Sequence, residues 1–195
     1  YRFEWSTLYS NTNGSQGNWI APSTTNMSKG KGYIAMANNG SSTAQTLPMS
    51  FTGKPFNGQF TFPIERGTYN GIDIDLEPGN PNNALTTKYD DNWNLVGNPY
   101  PSAIDAEEFL VLNQTKIEGS IWIWKHGLAP NVLADPFYQD FVVNYSSNDY
   151  IKYNGLGSTE PDTFAGKIAS GQGFMVNMLE TASTPNTITF NNEIG

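Results

Sequence analysis

The sequence contains no cysteine, which excludes a disulfide framework, a zinc finger, an iron–sulfur site and a thiol nucleophile. It contains one histidine, His126, so metal sites built on several imidazoles are excluded as well. Charge is scarce. Asp, Glu, Lys and Arg make up 14% of the 195 residues, against about a quarter in an ordinary globular domain. Basic residues are scarcer still, ten against eighteen acids, for a net charge of −8. That balance disfavours nucleic acid and anionic membrane surfaces as partners. Long apolar runs are missing too. The longest covers residues 33–37, far short of the roughly twenty that a membrane-crossing helix needs, so no membrane insertion is expected.

Turn-forming residues and aromatics are abundant instead. There are 23 asparagines, 19 glycines and 12 prolines, all of which favour turns and disfavour helix interiors. There are also 11 Phe, 10 Tyr and 5 Trp, whereas disordered chains are poor in aromatics. The composition therefore describes a folded, turn-rich protein rather than a helical bundle. The length suits one domain or two small ones. The missing cysteines leave the compartment open. Tyr1 begins the chain without an initiator Met or a visible signal peptide, which reads as a mature or excised piece of something longer.

Strand-like stretches recur between turn clusters. They are residues 1–5, 33–36, 47–51, 59–64, 72–76, 93–96, 120–124, 150–153, 174–176 and 187–190. One segment reads as helix. Ser102 is placed as an N-cap with Asp105 three residues on, followed by good helix formers from Ala106 to Leu112, with Ile104, Phe109 and Leu112 expected to point inward.

The second half echoes the first. Residues 27–36 (MSKGKGYIAM) match 168–176 (IASGQGFMV), 50–58 match 189–195, 17–22 match 148–154, and 3–5 (FEW) match 122–124 (WIW). The opening of the second half, WNLVGNPYPSAID (93–105), has no counterpart in the first. Either the first unit begins midway or the fold is asymmetric. In both halves a lone Gly-x-Gly precedes a strand, which suits a tight turn with positive φ better than a nucleotide loop. Trp122 and Trp124 share one strand face and invite a sugar-stacking reading. Their counterparts Phe3 and Trp5 alternate with Arg2 and Glu4, expected to face solvent, so the aromatic face is expected to be the buried one. On that reading Trp5, Trp19, Trp93, Trp122 and Trp124 are mostly buried, and a ligand-binding role for Trp122 and Trp124 is the alternative.

Candidate chemistry is thin. Asp73, Asp75 and Glu77 alternate along one strand, and the following PGNPNN offers further oxygens, a ligand set suited to calcium; the bland reading is a solvated strand face. Asp90, Asp91 and Asn92 form a second oxygen-rich cluster. Asp105, Glu107 and Glu108 suit the start of a helix. A Ser-His-Asp triad would need His126, and no G-x-S-x-G elbow occurs. Paired carboxylates of the glycosidase kind stay open, because their separation is not written in the sequence. No catalytic residue is assigned, and no cofactor beyond possible calcium. Five Asn-x-Ser/Thr sequons begin at Asn13, Asn26, Asn39, Asn113 and Asn144, a number that so Asn-rich a chain produces by chance.

The blocks WNLVGNPYPSAID (93–105), SIWIWKH (120–126), SSNDYIKYN (146–154), KIASGQGFMV (167–176) and TITFNN (187–192) follow one another in that order. This set resembles a β-domain of large secreted and cell-surface Bacteroidetes proteins. That domain typically lies upstream of the C-terminal sorting domain of the type IX secretion system. The likeness spans 93–195, and the first half looks like the end of a preceding related unit. Met175 stands where a second Phe is common. The resemblance implies an exported, surface-attached or released protein. Its partners in export would be the outer-membrane translocon and its shuttle and attachment proteins, which would recognise the sorting domain and not this region. It implies no catalytic residues. NPYPS looks architectural, with extended backbone before each proline and either X-Pro bond open to the cis form.

The expectation is an all-β, sandwich or jelly-roll-like fold of two related units, 1–88 and 89–195, packed separately or as one domain, with one short helix near 103–112. The expected function is a non-catalytic structural or adhesive module of a secreted, surface-associated type IX cargo protein. The alternative is a carbohydrate-binding module accessory to an exported hydrolase, with glycans as partners.

Overall fold

The structure, a computed structural model, describes residues 2–8, 10–11, 14–15, 18–22, 24–35, 48, 50–69, 71–72, 74–75, 85–86, 91–125 and 149–195. The described strands are β1 (Arg2–Ser6), β2 (Ser10–Asn11), β3 (Gly14–Ser15), β4 (Asn18–Ile20), β5 (Ile34–Ala35), β6 (Phe60–Ile64), β7 (Ile74–Asp75), β8 (Leu85–Thr86), β9 (Trp93–Gly97), β10 (Ile104–Asp105), β11 (Ile117–Trp124), β12 (Tyr150–Tyr153), β13 (Lys167–Ile168), β14 (Gly173–Met178) and β15 (Asn186–Phe190). Among the described residues one α-helix, α1 (Ala106–Asn113), precedes β11, and a 3-10 turn covers Asn192–Ile194. All described strand pairs are antiparallel. The protein is thus all-β and sandwich-like, with one short helix.

The largest sheet has the order β12-β11-β14-β9. In it Ile121 pairs with Tyr153 and Val176, Ile123 with Ile151, and Phe174 with Val96. These side chains are buried and share one face. Phe109 of α1 packs on that face, edge-on to Phe174 at 5.2 Å and tilted against Phe190 of β15 at 5.1 Å. The β6–β15 pair, with Ile188 opposite Phe62 and Phe190 opposite Phe60, joins the same hydrophobic core.

Asparagine side chains tie these layers together. The Asn94 amide accepts from Glu65 N–H at 2.9 Å and donates to Glu65 C=O at 2.8 Å. Asn113, at the end of α1, does the same to Thr189, accepting from its N–H at 2.7 Å and donating to its C=O at 3.0 Å. Each amide thereby stands in for one residue of a neighbouring strand, one beyond the end of β6 and one on β15. Asn98 donates to the carbonyls of Ser102, Ile168 and Ala169 and accepts from Tyr100 N–H, which rigidifies the NPYPS turn. Both X-Pro bonds there are trans; the cis peptide among the described residues is Thr184–Pro185.

The matched blocks occupy equivalent places. β1 pairs with β5 through Phe3–Ile34 and with β4 through Trp5–Trp19. β11 pairs with β14 through Trp122–Met175 and with β12 through Trp124–Tyr150. Each Gly-x-Gly sits in a hydrogen-bonded turn, Lys31 N–H to Ser28 C=O and Gln172 N–H to Ala169 C=O. Gly30 and Gly171 adopt φ of 76° and 72°, a region that a side chain rarely tolerates. The 50–58 and 189–195 blocks do not correspond. Residues 50–51 form no strand and Phe51 is exposed, whereas Phe190 lies in β15 and is buried.

Four further expectations are corrected. The core face of β11 carries Ile121 and Ile123. Trp122 and Trp124 are half-buried on the opposite face, as are Trp5 and Trp93 on their strands; the Trp19 side chain is outside the described residues. On β11 the face toward α1 takes isoleucine, packed beside Phe174 and Tyr153, and Trp is rarely enclosed completely. Glu4 does not face solvent: it is 7% exposed and pairs with Lys31 at 3.0 Å. The helix starts at Ala106, because Ile104 and Asp105 pair with Ile168 and Lys167 as strand. Its N-cap is Asp105, not Ser102, accepting from the N–H groups of Glu107 and Glu108, and it buries Leu110 where Leu112 was expected. Finally, the described residues of 47–51 are not strand.

Candidate functional site

The face of the four-stranded sheet turned away from α1 carries a line of aromatic side chains. β-strand alternation puts Trp122 and Trp124 there together. Tyr150 stands opposite Trp124 in the ladder, and the two rings meet edge to face at 5.0 Å. Lys152 and Met175 flank Trp122 on either side, with the Lys152 ammonium 5.0 Å from the centre of the indole. Trp93 packs edge to face on Trp122 at 4.8 Å. The first half of the chain reaches this rim: Trp5 Nε1–H and the Thr7 hydroxyl both donate to the Trp93 carbonyl, at 2.8 and 2.7 Å.

Charge around the strip is modest. Burial pushes the Glu118 carboxyl above its usual range, Lys152 opposes this, and the charge of Glu180 adds to it. Past the end of β11, Lys125 pairs with Glu160. Its hydrogen bond lowers the Glu160 pKa, burial opposes this, and the Thr163 hydroxyl and the Lys125 charge lower it further. The strip offers π faces, indole N–H groups and one ammonium. That is equipment for contact and recognition, and no nucleophile–base pair accompanies it among the residues named.

The calcium candidates fall mostly outside the described residues. Asp73 and Glu77 lie outside them, and Asp75 is described as backbone in β7 only. Among the described residues no group of three or more His, Cys, Asp or Glu is placed to hold a metal ion. His126 and Asp90 are also outside the described residues. Asn92 is buried, donating to the Met178 carbonyl and accepting from Asn177, so its amide belongs to the framework. Asp105 caps α1. Burial raises its pKa, but hydrogen bonds from Lys167, Glu108 and Glu107 and the Lys167 charge outweigh that and lower it.

One concavity has no counterpart in the sequence reading. It lies where the 55–58 loop, the NPYPS turn and Asn192 converge. Contacts across 42 and 134 residues create it, from Tyr100 O–H to Gly58 C=O and from Gly58 N–H to Asn192 Oδ1. No local pattern announces such a convergence.

Taken together, the fold and these surfaces define a small antiparallel β-module that uses buried amides as framework and presents a half-buried aromatic face. The chain belongs to the family described as domain of unknown function DUF8693, whose model matches residues 1–194. No curated protein and no solved structure matches it.

Proposed function

We propose that the chain is a non-catalytic structural or adhesive module of a secreted, surface-associated cargo protein of the type IX secretion system in Bacteroidetes. The ordered blocks from 93 to 192 support the setting. The observation that carries the non-catalytic reading is the use of buried amides, two of them in the NLVGN part of the first motif block and one at the end of α1. Asn94, Asn98 and Asn113 bind backbone groups with their side chains, so the asparagines of the first motif block and of the helix that follows it act as scaffold. The test of the setting is localisation of the parent protein in a Bacteroidetes host with and without a working outer-membrane translocon. Surface exposure that disappears with the translocon is expected; the same distribution in both strains would refute it.

A carbohydrate-binding module accessory to an exported hydrolase is the second reading. The exit of Trp122 and Trp124 from the core favours it. Against a free sugar platform, Trp122 already meets the Trp93 ring and the Lys152 ammonium. A polysaccharide pull-down with Trp122→Ala and Trp124→Ala separates the readings. Binding that is lost in folded variants would favour the accessory module.

A further inference from the structure

The sequence holds five Asn-Gly pairs, and both residues are described at two of them, Asn57-Gly58 and Asn154-Gly155. An asparagine followed by glycine can lose its side-chain amide without an enzyme. The next backbone nitrogen attacks the carboxamide carbon, and glycine, with no side chain, leaves that nitrogen open to approach. Both asparagines are exposed, so exposure alone does not separate them. Their hydrogen bonds do.

Asn57-Gly58 is held on both sides of the glycine. Gly58 N–H donates to Asn192 Oδ1 at 2.9 Å, and Gly58 C=O accepts from Tyr100 O–H at 2.8 Å. The proton that the reaction must remove is therefore engaged, and the peptide plane that carries it is pinned from the distant 3-10 turn. Asn154-Gly155 is arranged the other way. It lies at the tip of the hairpin after β12, closed by the Tyr153–Ser158 bridge and by Asn154 N–H to Gly157 C=O at 3.2 Å. Gly155 N–H has no hydrogen-bond partner among the described residues. Asn154 Oδ1 accepts from Leu156 N–H at 3.1 Å and from Gly157 N–H at 3.0 Å. Those bonds fold the side chain forward along the chain, toward the nitrogen that attacks it. Two successive N–H groups on one oxygen also stabilise the negative charge that the attack places there.

We propose that Asn154 is a site of spontaneous deamidation and that Asn192 guards Asn57 against the same reaction. Gly155 N–H loses its proton to solvent, the nitrogen bonds to Asn154 Cγ, and the Cγ–Nδ2 bond breaks with release of ammonia. Water then opens the cyclic imide at one carbonyl or the other, leaving isoaspartate or aspartate. Either product adds a negative charge to the hairpin tip, and isoaspartate also lengthens its main chain by one carbon.

The test is to incubate the 195-residue chain at mildly alkaline pH, once folded and once unfolded in urea. Peptide mapping by mass spectrometry follows the conversion of amide to acid at each site, and labelling with an isoaspartate methyltransferase identifies the isoaspartate. Asn154 is expected to convert at least as fast in the folded chain as in the unfolded one. Asn57 is expected to be slowed about tenfold by folding, the equivalent of one good hydrogen bond. Asn192→Ala is expected to bring Asn57 back toward its unfolded rate and to leave Asn154 unchanged, whereas Asn192→Asp keeps an acceptor for Gly58 N–H and keeps Asn57 slow. Should the alanine variant fail to fold, the comparison of folded and unfolded parent carries the test by itself. The proposal is overturned if folding slows Asn154, if Asn57 converts as fast folded as unfolded, or if a folded Asn192→Ala chain leaves Asn57 slow.

Discussion

Replacing Asn113 with alanine tests the idea that buried amides hold the two layers together. The residue is 0% exposed. Its side chain satisfies both polar groups of Thr189 and also reaches Phe109 C=O at 3.0 Å. Alanine removes the partner of the Thr189 N–H and C=O at a part-buried place. A buried polar group left without a partner costs about 1–3 kcal/mol. Two such groups, partly relieved by water, give roughly 2–4 kcal/mol in total. For a chain of this size that corresponds to a fall in Tm of about 5–15 °C. Urea unfolding followed by tryptophan fluorescence reads the stability, and hydrogen exchange at the Thr189 amide reads the clamp itself, where faster exchange is expected. Asn113→Asp keeps the acceptor but turns a carboxylate toward two carbonyls, so its folded pKa is raised. Its deficit is therefore greatest at neutral pH and shrinks on acidification. A loss below about 1 kcal/mol in the alanine variant, with Thr189 exchange unchanged, would refute the reasoning.

Three other predictions follow from the same geometry. Ile121→Ala, at a fully buried site, is expected to cost about 2–5 kcal/mol, and Trp122→Ala less, since its side chain is only half-buried; chemical denaturation giving the opposite order would return the tryptophans to the core. Asp105 has a lowered folded pKa against a model-compound value of 3.8, so its stabilising contribution is complete above that value and lost as pH falls through the lower folded one. Asn is an equally good cap but does not titrate, so Asp105→Asn is expected to flatten this part of the acid-unfolding curve, and an unchanged curve would contradict the assignment. The calcium expectation for Asp73, Asp75 and Glu77 predicts that EDTA lowers Tm and added calcium restores it; a melting curve indifferent to both removes those residues as a stabilising site.

The strand content was legible because turn residues punctuate it, and the equivalence of 27–36 with 168–176 was legible because only glycine suits the positive φ at Gly30 and Gly171. The facing of β11 was not. In Ile-Trp-Ile-Trp both alternating faces are apolar, so no polar residue says which side meets α1. The position of the core was decided by Phe109, Phe174 and Phe190, brought together from three distant segments. The helix start was ambiguous for a similar reason. Ser102 and Asp105 are both good caps, and the pairing of Asp105 with Lys167 settles which is used. The groove at Tyr100 was invisible, since Gly58 and Asn192 acquire their relation only in three dimensions.

The amide clamps on Glu65 and Thr189 have a bearing on life at high density. A bare strand edge is a template on which another chain can assemble. A strand partner would pass that templating surface on to its own far side, whereas a side-chain amide satisfies one residue and stops. Asn94, bound to Glu65 just beyond β6, and Asn113, bound to Thr189 of β15, finish the two-stranded layer in this way, and Pro63 within β6 has no N–H to offer an incoming strand. The layer is therefore guarded against edge-to-edge assembly at these positions. Loosening either amide would be expected to show first as concentration-dependent aggregation on warming, before the core itself gives way.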